Sequence, residues 1–193
     1  MIIPVTSGAD RECTWATLDA AAKRERLLCA AGEVFASEGL DASMPAVAAA
    51  AGAGVASIYR QFPSKHDLLA ALVVRRLDQI AAEAADATAS PCDRFEALEQ
   101  MLRKMVERDV NDGFMGEAHA RVAAHPDVGL ARDRATDALA LVLDEARAEG
   151  RLRPDATPLD LRLLFAATRA AKQVEPTAWR RTLELFIDSL RRA

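Results

Sequence analysis

Two helical segments of only seven residues, joined by Gly52-Ala53-Gly54, constrain the fold of this chain more than any other feature. Isolated helices that short are marginal in water, so both must be held by packing against longer neighbours. Their ends are written in the caps. Ser43 stands as an N-cap two residues before Pro45, which tolerates a first helical turn, and the first segment closes at Gly52. The second, Val55 to Gln61, is broken by Phe62-Pro63. Ahead of the pair, a helix is predicted from Ala21 to about Ser37, with Leu27, Ala30, Ala31, Val34 and Phe35 on one apolar face. Glu38-Gly39 stops it, Gly39 suiting a left-handed cap. Behind the pair, Ser64 caps a longer helix that starts near Lys65 and reaches the mid-eighties.

Two short helices around a glycine turn match what a helix-turn-helix needs, since the second helix must be presented to the DNA major groove. Val47, Ala48, Ala51, Val55, Ile58 and Phe62 are expected to lock the two helices together. Ser57, Tyr59, Arg60 and Gln61 offer hydrogen-bond donors on the second helix, and Lys65 follows. Hydroxyls and lysines of this kind mostly position a protein on phosphates, and few side chains reach base edges. Tyr59 and Phe62 can each be read as core aromatics; within this motif Phe62 is expected inside and Tyr59 toward DNA. Lys23, Arg24 and Arg26 form either a solvated face or a phosphate-contacting edge.

Composition narrows the class. With 51% hydrophobic and 28% charged residues the 193-residue chain is globular rather than disordered. Alanine and leucine dominate and β-branched residues are sparse, which favours an all-α fold. A formal charge of −4 excludes a polycation, but a local basic surface is enough for nucleic acid. Cys13, Cys29 and Cys92 are odd in number and lack metal-ligand spacing, so a reducing cytoplasm is expected. Cys29 is read as a structural residue near the core, Cys13 and Cys92 as exposed. Met1-Ile2-Ile3-Pro4-Val5 lacks the basic flank of a secretory signal, and no uncharged apolar run is long enough to span a membrane. Residues 1–20 read as a poorly ordered arm, 21–66 as the DNA-binding domain and 67–193 as a second helical domain.

Beyond Ala89-Ser90-Pro91 further helices are predicted over about 92–110, 115–124, 127–149, 158–173 and 176–192, about nine in all. Phe95, Leu98, Met101, Met105, Met115, Leu139 and Phe165, with Phe114, either line a ligand pocket or are ordinary core; methionine suits adaptable apolar sites. His119 is a polar anchor of such a pocket, or a surface or satisfied core histidine. Arg169 sits in an apolar stretch and needs a partner, across a dimer or on an acidic ligand. Trp179, Leu183, Phe186, Ile187 and Leu190 make the last helix amphipathic, and two such helices per subunit are what a four-helix dimer interface requires.

From Arg26 to Leu69 the chain resembles the TetR (tetracycline-repressor-type) family. The resemblance lies in Val34-Phe35, Glu38-Gly39-Leu40, Ser43-Met44, Val47-Ala48, Ala51-Gly52, Ser57 through Lys65, and Asp67-Leu68-Leu69. It implies a three-helix DNA-binding domain joined through a fourth helix to a helical ligand-binding and dimerisation domain. It further implies that Ser43, Ser57, Tyr59 and Lys65 contact phosphates, and that Ala56 allows close backbone approach to DNA. Arg60, with Val55 beside the tip, becomes the base reader. Gly54 and Val55 depart from the polar residues common there, so Gln61, thymine-methyl contacts and DNA shape share the reading.

The expected function is therefore a homodimeric DNA-binding regulator, a repressor released from operator DNA by a small apolar or amphipathic ligand, with no cofactor, metal or membrane partner. Two other readings stand against it. A helical-bundle enzyme finds little in the sequence: His66, His119 and His125 have no metal spacing, and there is no Glu-x-x-His pair or glycine-rich phosphate loop. A helical protein-binding adaptor would show no salt-dependent affinity for duplex DNA.

Overall fold

The computed structural model describes residues 15–192; positions 1–14 of the expected arm, Cys13 included, lie outside the described residues. Residues 15–20 depart from that expectation: Trp15–Thr17 form a 3-10 turn, and Asp19 accepts a hydrogen bond from the Ala22 N–H (2.8 Å) as the N-cap of α1. Among the described residues the elements are helical: α1 (Ala20–Glu38), α2 (Met44–Ala50), α3 (Val55–Gln61), α4 (Lys65–Ala89), α5 (Arg94–Asp112), α6 (Met115–Arg121), α7 (Pro126–Ala148), α8 (Pro158–Val174) and α9 (Ala178–Leu190). They form two compact units that divide between Lys65 and His66.

The first unit holds α1 to α3. Leu27, Ala31, Val34 and Phe35 of α1, Met44, Val47 and Ala48 of α2, and Ile58 and Phe62 are all buried. Ser43 Oγ accepts from the Ala46 N–H (3.2 Å) and caps α2. The turn that follows is a Schellman closure. The Ala53 N–H donates to the Ala48 carbonyl (2.8 Å) and the Gly52 N–H to the Ala49 carbonyl (3.0 Å). This requires φ of +67° at Gly52, and a Cβ there would also touch the Arg26 guanidinium at 3.4 Å. Replacing Gly52 by valine is expected to cost roughly 1–2 kcal/mol or more, read as a lowered urea midpoint with unchanged slope. A midpoint equal to wild type would contradict the turn geometry. Gly39 differs from its expectation: its φ is +83° but ψ is 170°, an extended rather than left-handed helical cap.

The second unit is organised around α5, which contacts α7, α8 and α9, while α8 and α9 pair with each other. Phe95, Leu98, Met101, Leu102, Met105, Val106 and Val110 recur at helical steps and are buried, so nearly the whole length of α5 faces a core. Leu139, Leu143, Leu161, Leu164, Leu183, Ile187 and Leu190 complete that core. Arg103 of α5 ties α9 through Glu184 (Nη2–Oε2 2.9 Å) and braces itself on Glu99 (2.7 Å). The last helix ends at Leu190, two residues before the predicted end. Arg191 and Arg192 instead run antiparallel to the α7–α8 connector, with the Arg153 N–H donating to the Leu190 carbonyl (2.9 Å) and the Arg192 N–H to the Arg151 carbonyl (2.8 Å). Asp160 closes the start of α8 by accepting from the Thr157 N–H (2.7 Å) and hydroxyl (2.8 Å). Cys29 is exposed, not in the core, because it lies on the opposite side of α1 from Leu27 and Ala31; Cys92 is exposed as expected.

Candidate nucleic-acid interface and ligand cavity

In the first unit, helical period separates two faces of α3. Ile58 and Phe62, one turn apart, are 0% and 1% exposed, while Val55 and Tyr59, also one turn apart, are each 46% exposed. Val55 therefore does not help to lock α2 to α3; it stands outward at the start of the helix. Ala56 and Arg60 are exposed too, and Ser57 and Gln61 are half-buried. Lys65 opens α4 half-buried, with its Nζ 5.8 Å from the Phe35 ring centre, and Ser43 is exposed at the start of α2. The hydroxyl of Ser43 accepts from the backbone and keeps its hydrogen for another acceptor. All eight residues expected to meet DNA thus belong to α3 or to the ends of the helices beside it in sequence.

Within the basic cluster on α1, Arg24 is exposed and also makes an intrachain contact. Its guanidinium lies 4.5 Å over the Phe62 ring and its Nη1 donates to the Gln61 carbonyl (3.4 Å), so it clasps the C-terminal end of α3. No periodic pattern announces this contact, which links positions 37 apart.

In the second unit, α4 to α8 enclose a cavity of about 440 Å³. Of the residues proposed for a pocket, Met105, Met115, His119, Leu139, Phe165 and Arg169 line it together. Phe95, Leu98 and Met101 do not. They lie one to three turns before Met105 on α5 and are buried in the core that α9 shares, Phe95 beneath the guanidinium of Arg191 (4.7 Å). Phe114 is the N-cap residue of α6 and is outside the lining as well. Val73, Leu77 and Ile80 of α4 add apolar wall, and Leu159 and Leu163 of α8 are exposed residues that also line it.

Sequence reasoning missed the polar part of this wall: Arg76, Glu83, Arg108, Asp109, Arg132 and Arg162. A signal existed. Residues 73, 76, 77 and 80 fall on one stripe of α4, and 159, 162, 163, 166 and 169 on one stripe of α8, so each arginine shares a face with apolar neighbours. Arg108 pairs with Glu83, and Arg76 with Asp112. Arg169 pairs with Asp109 at 2.7 Å in the same chain, a partner beside the two expected from sequence. Its side chain lies against α6 because Gly116 has no Cβ; one built there would meet the Arg169 Nε at 3.0 Å.

Burial raises the Asp109 carboxyl above the usual range, and Arg169 only partly reverses this. Burial also lowers the Arg76 guanidinium. Arg76 Nε, Glu83 Oε2 and Arg132 Nε are buried without a hydrogen-bond partner among the described residues. His119 is pushed below 6.5, first by burial and then by Arg132, Arg162 and Arg169. A neutral imidazole suits the 3.3 Å approach of Arg132 Nη2 to its Nε2.

A depressed histidine pKa favours the folded state only while the ring is neutral. That stability is present above 6.5 and is lost as pH falls through the depressed folded value. His119→Gln is expected to flatten this acid limb in urea unfolding measured from pH 7.5 to 5 in steps of about half a unit. An unchanged limb would remove His119 as its source.

Comparison with known proteins places this geometry. Residues 27–72, spanning most of α1 to the start of α4, match the family model described as bacterial regulatory proteins, tetR family. The HTH-type transcriptional repressor LfrR of Mycolicibacterium smegmatis is 32% identical over 135 residues, 67% of each chain. A TetR transcriptional regulator of Streptomyces coelicolor superposes with a TM-score of 0.68 at 28% identity, over 87% of this chain and 98% of that one. A TetR transcription regulatory protein of Mycobacterium vanbaalenii gives 0.64 at 29%, over 90% and 98%. With the short α2–α3 pair, the outward Tyr59 and Arg60 and the helical unit beyond them, these likenesses establish that the chain belongs to the TetR family of bacterial regulatory proteins.

Proposed function

We propose that this chain is a homodimeric, cytoplasmic transcriptional repressor that binds operator DNA through α3 and is released from it by a small apolar or amphipathic ligand. The observation that carries the reading is the division of α3, with Ile58 and Phe62 buried and Val55, Tyr59 and Arg60 turned outward on a helix only seven residues long. A buried inner face fixes the helix, and the outer face is left for a groove. Ser43, Ser57, Tyr59 and Lys65 are assigned to phosphates, Ala56 to close backbone approach, and Arg60, Val55 and Gln61 to bases. Positions 21–66 serve as the DNA-binding domain and 67–193 as the ligand-binding and dimerisation domain.

The effector site is the 440 Å³ cavity, a size suited to a drug-like molecule. Coupling runs along the chain through α4, whose first residue is Lys65 and whose Val73, Leu77 and Ile80 line the cavity. A ligand that binds better to the conformer unsuited to DNA lowers operator affinity by that difference. Dimerisation is assigned to α8 and α9, which carry the outward apolar residues Val174 and Leu185 outside the cavity lining. Two subunits are needed because successive major grooves lie about 34–36 Å apart. The mechanism is positioning and population shift, with no chemical step.

DNase I footprinting on DNA flanking the gene, with sedimentation of the free protein, tests this reading. A dimer protecting two half-sites related by a two-fold axis is expected. A monomer, or a dimer giving no protected site, would contradict it.

A further inference from the structure

Five arginines and two carboxylates line the cavity of the second unit. Both carboxylates are already answered, Glu83 by Arg108 and Asp109 by Arg169. Arg132 and Arg162 form no ion pair with a carboxylate among the described residues. Arg132 donates to the Ala123 carbonyl (3.1 Å) and meets His119, but its Nε is buried and unbonded. Arg162, in the first two turns of α8, is exposed at its own position and lines the same cavity. Around these charges the wall is apolar: Leu77, Ile80, Leu139 and Phe165.

A buried donor without a partner costs about 1–3 kcal/mol, more when charged, and a ligand acceptor would remove that cost. A cationic ligand would enter against the arginine excess. A neutral apolar one would leave the buried Arg132 Nε without an acceptor. We infer that the cavity selects an amphipathic anion, a carboxylate carried on an apolar body, with its head between Arg132 and Arg162 and its body against the wall of Leu77, Ile80, Leu139 and Phe165. Arginine suits this task because its planar donors match a carboxylate two at a time. His119, kept neutral, stands beside the head as an uncharged group.

The inference rests on the cavity being the effector site proposed above, and the test separates the two. Decanoate, decan-1-ol and decyltrimethylammonium share a ten-carbon body and differ in head charge. Titration calorimetry of each against the full chain is expected to rank decanoate at least tenfold tighter than decanol, with the cation weakest. Arg162→Glu should weaken decanoate at least tenfold and leave decanol within twofold, while Arg162→Lys keeps most of the preference. Because Arg162 is exposed, the helix content of these variants should match wild type by circular dichroism. Equal binding of all three, a preference for the cation, or no effect of Arg162→Glu on decanoate overturns the charge selection and leaves an effector cavity of other chemistry. Failure of all three to bind, with operator binding intact, overturns the cavity assignment and the inference together.

Discussion

Replacing Phe62 with alanine is expected to lower the unfolding free energy by about 3–5 kcal/mol and to remove operator binding with it. Phe62 is 1% exposed and sits at the end of α3, where its N–H still bonds the Ile58 carbonyl (2.8 Å) and Arg24 stacks on its ring at 4.5 Å. A helix of seven residues has little stability of its own. Emptying this position therefore frees α3 as well as opening a void. Urea unfolding followed by circular dichroism gives the stability, and fluorescence anisotropy gives the DNA affinity. Phe62→Leu keeps most of the volume and should retain most of both. An alanine variant as stable as wild type would show that α3 is held by something other than its inner face.

Arg60 and Lys65 are expected to fail in different ways, and the difference separates base reading from phosphate anchoring. Arg60 is exposed on α3, where a guanidinium can meet a guanine edge through two hydrogen bonds. Arg60→Ala should cost about 1–3 kcal/mol of discrimination and relax preference at one base pair per half-site. Lys65 is steadied by the Phe35 ring and placed at the first turn of α4. Lys65→Ala should weaken all duplexes alike and flatten the salt dependence by about one unit of log K per log salt for each phosphate released. Anisotropy titrations at several salt concentrations, on operator and on single-base variants, distinguish the two patterns. If Lys65→Ala changes specificity and Arg60→Ala only the salt slope, the roles assigned here are reversed.

What could be read from the sequence followed from local rules. Caps and breakers are short-range signals, so Ser43, Gly52 and Phe62-Pro63 place the ends of α2 and α3 within a residue or two. Helical period separates Ile58 and Phe62 from Tyr59, whereas Val55, expected among the locking residues, stands outward. Tertiary partners were harder. The α9 end shortened because Arg191 and Arg192 pair with a connector far away in sequence, which no local pattern announces. Phe95, Leu98 and Met101 look the same in sequence as Met105, since all four lie on one apolar face of α5; only the helices opposite them decide which meet a cavity. Arg132 and Arg162 carry no local signal of a cavity, because charges on amphipathic helices usually face water. Arg169 stands out in sequence as a charge among apolar residues, but its Asp109 partner lies 60 positions away.

Operator recognition is tested by fluorescence anisotropy of the full chain against labelled duplex from the region flanking its own gene, with scrambled duplex alongside, at two salt concentrations. Tight binding that weakens with salt and exceeds scrambled DNA by about a thousandfold or more is expected. Binding to that duplex no tighter than to scrambled DNA, extended to a genome-wide selection of bound fragments with no enriched sequence, would contradict it.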